Sequence, residues 1–158
     1  MNLLVVGGGG REHAIIKKLK ENSAVETIYA LPGNGGIAAD AVCVPEIGAK
    51  DIDAIVDFAK THAIDLAVVA PDDPLALGCV DRLHEVGVPC FGPDAKAARI
   101  EASKVFSKNL MKKYGIPTAA YAACESYDEA IAYIDSLPEG PVVVKADGLA
   151  LGKVRSAV

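Results

Sequence analysis

The sequence predicts an α/β fold, a doubly wound parallel sheet, and three observations carry the prediction. Short apolar runs bounded by Gly and Pro alternate with stretches of helical periodicity. The runs are nearly continuous in Val, Leu, Ile and Ala, as strands covered on both faces must be. The first run enters four glycines and leaves through a charged triplet into a helix, "LLVVGGGGREHA" at 3–14.

The elements follow in order. Apolar residues at 3–6 form the first strand and 14–20 the helix behind it; 25–30, 41–44, 66–70 and 89–91 continue the strand series. Between 52 and 59, Ile52, Ile55, Val56 and Ala59 recur at i, i+3, i+4 and i+7, which lays one apolar stripe against the sheet. A helical pattern at 75–86 precedes the last of these strands, and the unit closes near "CFGPD" at 90–94. The texture then changes to a long helical stretch from Ala95, stopped by Gly115 and Pro117. A strand-like 119–123, a helix at 127–137 and an apolar strand at 142–145 complete the walk. Ser126 and Glu129 have capping-box spacing at the start of that helix. The expected organisation is an α/β domain at 1–100 and a second portion at 101–158.

Composition narrows the function classes. At 51% hydrophobic and 23% charged residues the chain can build a sizeable core, which argues against disorder. A formal net charge of −5, with no run of Lys or Arg, makes nucleic acid an unexpected partner. Cys43, Cys79, Cys90 and Cys124 show no C-x-x-C spacing, so no metal site is expected and the thiols are read as reduced and partly buried. No apolar run reaches membrane-spanning length, and no leader-like segment is visible; the reading is a cytoplasmic protein without a membrane partner.

The glycine loop does not carry a dinucleotide fingerprint. G-x-G-x-x-G fails: counting from Gly7 puts Glu12 at the third glycine, counting from Gly8 puts His13 there, and "YALPGNGG" ends the second strand without a carboxylate for the ribose. A dinucleotide-binding redox domain is therefore the weakest reading. What remains is a loop whose amides can converge on an anion at a helix N-terminus. Arg11 there is a cation at the positive end of the helix dipole, so it calls for an anionic ligand or a pairing with Glu12. "LPGNGG" at 31–36, with Asn34 as both donor and acceptor, belongs at the end of the second strand and should face the same crevice. In "APDDPLALG" at 70–78, Pro74 reads as a first-turn residue and Asp73 as the N-cap, which leaves Asp72 free for a ligand. His13 adjoins the glycine loop, while His62 and His84 read as solvated helix positions.

"GGGGREHA", "PGNGG", "APDDPLALG", "CFGPDAKAARIEASKVFSK", "GIPTAAY" and "VVVKADGLALGK", in this order, resemble the phosphoribosylamine–glycine ligase (glycinamide ribonucleotide synthetase) family. The resemblance implies a Rossmann-like pre-ATP-grasp domain followed by an ATP-grasp unit. It also implies an ATP-dependent carbon–nitrogen ligase of purine biosynthesis, whose substrates are phosphoribosylamine, glycine and ATP. By the same resemblance, Gly9, Gly10, Arg11, Glu12, Gly33, Asn34 and Asp72 match the loops around the phosphoribosyl substrate. Asp72 departs from the pattern, since the family usually carries Gly-Pro-Glu where this chain has Ala70-Pro71-Asp72. On the nucleotide side the matches are Lys104, Lys145, Asp147, Gly148, Gly152 and Lys153. Lys145 ends an apolar strand, where an ammonium needs a partner, and is expected to reach inward to a phosphate. Val154 stands where the family has a further glycine. The family uses Mg or Mn with ATP, and the acidic and amide ligands for that metal have no counterpart here. The expectation is an N-terminal portion that does not catalyse alone; a non-catalytic phosphoribosyl-binding module is the alternative.

Overall fold

The computed structural model describes residues 1–149 and the backbone of Val154–Ala157. The chain divides into two units, Met1–Ala98 and Arg99–Val158.

The first unit is a five-stranded, all-parallel sheet in the order β3-β2-β1-β4-β5. Its strands are β1 (Asn2–Gly7), β2 (Thr27–Pro32), β3 (Val42–Cys43), β4 (Leu66–Val69) and β5 (Cys90–Phe91). β1 is central because both of its faces are apolar: Leu4 and Val6 join one core cluster, Leu3 and Val5 the other. Period-two alternation puts Leu31 of β2 and Ala67 and Val69 of β4 with the first set, and Ile28, Ala30 and Val68 with the second. Helix α1 (Gly10–Leu19) covers one face through Ile16. Helices α2 (Ile52–Thr61) and α4 (Cys79–Glu85) cover the other through Ile55, Val56, Phe58, Ala59, Cys79, Val80 and Leu83. The stripe read from the sequence is thus the buried one, with Phe58 added. Asp51 caps α2 by accepting from Ala54 N at 3.2 Å.

Three expectations about element limits are corrected. The pattern at 75–86 is two helices, α3 (Asp72–Ala76) and α4, broken at Gly78, whose φ of +81° no helix accommodates. The stretch after Ala95 is also two helices, α5 (Ala95–Ala102) and α6 (Lys104–Lys113), because the Ser103 hydroxyl accepts from Phe106 N at 3.1 Å and starts a new N-terminus. Residues 119–123 form no strand, since no neighbour pairs with them.

In the second unit, α7 (Tyr127–Asp135) is capped by Ser126, which accepts from Glu129 N at 3.2 Å. The Glu129 carboxylate reaches back to Glu125 N at 2.9 Å, one residue beyond the usual capping-box partner. Strand β6 (Val142–Lys145) pairs antiparallel with β7 (Val154–Ala157). Among residues 99–149 no residue is buried, and Val143 and Val144 of β6 are exposed.

Candidate functional site

The strand order reverses at β1: the chain moves outward to β2 and β3, then returns to β1's other side with β4. In such sheets the loops at the carboxyl ends of the strands flanking the reversal diverge and leave a crevice. Here those loops are 7–10 after β1 and 70–72 after β4.

Three loops meet at this point. At Gly7, φ is +123° and a Cβ would lie 2.8 Å from the Pro71 ring, so only a glycine lets the β4 loop come this close. At Gly8 a Cβ would lie 2.5 Å from the Gly33 carbonyl oxygen, which brings the loop after β2 against the loop after β1. Gly33 N donates to Gly7 O at 3.2 Å and Asn34 Nδ2 to Gly8 O at 2.6 Å. The glycine loop and the "PGNGG" loop, expected to face one crevice, are in direct contact here.

Within it the side chains sort themselves. Glu12 is 5% exposed, and its carboxylate accepts from Gly9 N at 2.6 Å. It does not pair with Arg11. Arg11 is exposed and makes no ion pair or side-chain hydrogen bond with another described residue, so the carboxylate at the N-terminus of α1 is Glu12's and the guanidinium is left without an anion. Asp73 is not the N-cap: α3 starts at Asp72 with Pro71 in the cap position, and the Asp73 carboxylate instead pairs with Lys50 at 2.5 Å. Asp72, on the first helical position, is exposed and makes no side-chain hydrogen bond or ion pair with another described residue. His13 Nε2 lies 2.9 Å from Asp40 Oδ2, and Lys20 Nζ lies 3.1 Å from Oδ1 of the same carboxylate. These two bonds, His13's first, hold the Asp40 carboxyl below the usual carboxylate value. Asp40, unnoticed in the sequence, closes a short 3-10 turn at Ile37–Ala39 and has no local pattern that could have signalled a partner twenty or more residues away.

Beside the crevice, at the carboxyl ends of β4 and β5, lies a cavity of about 560 Å³ lined by Val69, Ala70, Leu75, Cys90, Phe91, Gly92 and Pro93. None of these side chains carries a charge. Burial pushes the Cys79 thiol up to about 12 and the Cys90 thiol up to about 11, which keeps both protonated and unreactive at neutral pH. Cys43 is half-buried and Cys124 exposed.

The nucleotide-side residues lie in the second unit. Asp147 Oδ1 accepts from Lys104 N at 2.7 Å and from Val105 N at 3.2 Å, and the Ser103 hydroxyl donates to the same carboxylate. The carboxyl is therefore held below its ordinary value, the Val105 amide contributing most. Lys104 Nζ donates to Gly148 O at 2.7 Å. Lys145 ends β6 and is exposed, not turned inward, because a two-stranded sheet gives that strand no covered face. Gly152 and Lys153 lie outside the described residues. Among the described residues no three His, Cys, Asp or Glu side chains come together to hold a metal ion, and they form no cage for Mg or Mn.

Comparison with known proteins agrees over almost the whole chain. A phosphoribosylamine–glycine ligase of Streptococcus suis is 50% identical over 97% of this chain and 36% of its own length. One from Listeria monocytogenes is 52% identical with the same coverage. The crystal structure of the Thermotoga maritima phosphoribosylamine–glycine ligase superposes with a TM-score of 0.73 at 33% identity, covering 99% of this chain and 36% of that one. This chain thus spans about a third of the length of the curated relatives it matches. The N-domain family model of phosphoribosylglycinamide synthetase matches residues 1–101 and the ATP-grasp (A) domain model residues 102–157, and the chain belongs to that family.

Proposed function

We propose that the chain is part of an ATP-dependent carbon–nitrogen ligase that joins glycine to 5-phosphoribosylamine, and that its first unit holds the phosphoribosyl group. The observation that carries this is the unpaired Arg11 guanidinium at the N-terminus of α1, where three strand-end loops converge. A phosphate there takes up hydrogen bonds that the helix end and the guanidinium do not find within the protein. Asp72, across the crevice, is the free carboxylate on the opposite loop and suits the ribose hydroxyls or the amine of that substrate.

In the reaction, ATP transfers its terminal phosphoryl group to the glycine carboxylate, giving an acyl phosphate and ADP. The amine of phosphoribosylamine then attacks the acyl carbon, loses a proton and expels phosphate, leaving glycinamide ribonucleotide. Lys104, Lys145, Asp147, Gly148, Gly152 and Lys153 are the residues this reading assigns to the nucleotide. Lys145, exposed at the end of β6, is free to reach a phosphate, whereas Lys104 has one of its three N–H donors on the Gly148 carbonyl. Magnesium or manganese would neutralise charge on the transferred group; this chain spans about a third of its relatives' length and is assigned binding and not turnover.

The test is a calorimetric titration of the chain with glycinamide ribonucleotide, the product that carries the phosphoribosyl group. Binding is expected, and Arg11→Ala is expected to weaken it by about 1.5 kcal/mol, the low end for a charge-assisted hydrogen bond because Arg11 is exposed and screened. Unchanged affinity would remove Arg11 from the site, and absence of binding by the unaltered chain would overturn the reading.

A further inference from the structure

The anion loop contains one peptide unit that is held at both ends. The Gly8 carbonyl accepts from Asn34 Nδ2 at 2.6 Å, and the N–H of the same peptide unit, on Gly9, donates to Glu12 Oε2 at 2.6 Å. In a trans peptide these two groups point in opposite directions, so two partners on opposite sides fix the orientation of the plane completely. Asn34 is itself fixed, since its Oδ1 accepts from Gly36 N at 2.7 Å and from Ile37 N at 2.9 Å. The far end of that loop is tied to α1 by the His13–Asp40 bond. Glu12 is buried, and a buried carboxylate is held in place by whatever donor it has; here that donor is Gly9 N.

From this we infer that Glu12 and Asn34 are positioning residues of the phosphate loop and not contacts to the ligand. The inference rests on the phosphoribosyl reading above. With the Gly9 amide taken by Glu12, the donors left at the helix end are the Gly10, Arg11 and Glu12 amides, which as the first three helical positions have no acceptor within α1, together with the Arg11 guanidinium. A locked Gly8–Gly9 peptide sets the direction in which α1 begins, and hence where those amides point.

The discriminating experiment replaces Glu12 in two ways. Glu12→Gln keeps a carbonyl acceptor for Gly9 N and removes the charge, whereas Glu12→Ala removes both. Glycinamide ribonucleotide affinity is measured by calorimetry, and the exchange rate of the Gly9 amide by NMR, on the 158-residue chain with folding checked by circular dichroism. The expectation is that Glu12→Gln binds within about threefold of the unaltered chain with Gly9 protected. Glu12→Ala is expected to bind about tenfold more weakly with Gly9 exchanging fast. Asn34→Asp, which cannot donate to Gly8 O, should lose affinity as Glu12→Ala does while Gly9 N keeps its Glu12 acceptor. If Glu12→Gln loses as much affinity as Glu12→Ala while Gly9 stays protected, Glu12 touches the ligand through its charge and the inference is overturned. No loss in either variant overturns it as well. If the unaltered chain binds nothing, it is the phosphoribosyl reading that fails, and the lock is then decided by Gly9 exchange alone: slow in the unaltered and Gln chains and fast in the Ala chain upholds it, equal rates in all three overturn it.

Discussion

Gly8 is where the site tolerates least change. A methyl group there would have to occupy space 2.5 Å from the Gly33 carbonyl oxygen, which is backbone and cannot swing aside. Gly8→Ala must therefore push the loop after β1 away from the loop after β2, stretching the Asn34–Gly8 bond as it does so. The expected cost is about 2 kcal/mol of stability, typical of forced overpacking, measured as a lowered urea midpoint at unchanged slope. Gly10, whose added Cβ would meet nothing within 4 Å, serves as the control and should lose far less. The sequence distinguishes these glycines poorly. A run of four reads as a permissive turn, but which member faces another backbone depends on the loop 25 residues away. Glu12 illustrates the same gap: "REH" reads as an Arg–Glu pair, and the structure turns the glutamate inward to its own loop and leaves the arginine outside.

At the scale of elements, what the sequence makes legible is what repeats locally. The α2 stripe follows from periodicity, with Ile55, Val56 and Ala59 buried and Ile52 partly so, and the continuous apolar run of β1 is covered on both faces as read. The helix breaks at Gly78 and Ser103 were hidden because the apolar pattern continues across them; the interruptions come from a positive φ in one case and a hydroxyl cap in the other. The second break has a long-range partner, Asp147, whose carboxylate sits on the first amides of α6. Because those bonds favour its charged form, its value lies below the ordinary 3.8, and the tie is complete above that pH and lost as pH falls through the lowered value. In an NMR titration the Val105 amide shift should therefore follow a single group with a midpoint below 3.8. Asp147→Asn should abolish that titration and leave Gly9 and Asn34 unmoved. A midpoint at or above 3.8 would mean that the helix end does not hold the carboxylate.

For the molecule as a whole, the two units differ in what keeps them ordered. Met1–Ala98 surrounds β1 with side chains that are essentially inaccessible, among them Leu4, Val6, Ile16, Leu31, Ile55 and Leu83. Residues 99–149 include none that is buried, while Tyr114, Tyr127 and Val143 are 64%, 78% and 61% exposed. Ordering a chain costs about 1–2 kcal/mol per residue, which only buried apolar surface offsets on this scale. The second unit has little of it, so its helices and the β6–β7 pair rest on individual hydrogen bonds such as the Ser126 cap and the long-range Asp147 tie. Local opening there should be frequent, and a protease reads opening directly. Chymotrypsin is expected to cut first at Tyr114 and Tyr127, leaving a resistant fragment that contains the whole first unit, with masses followed over time. Phe91 provides the internal check. It is 71% exposed, as open as the two tyrosines, but its backbone is paired with Val68 in the sheet. If exposure alone governed cleavage, Phe91 would be cut as early as Tyr114; if sheet order governs it, Phe91 survives. Early cleavage at Phe91, or equal resistance along the chain, would show that the two units do not differ in stability as their burial requires.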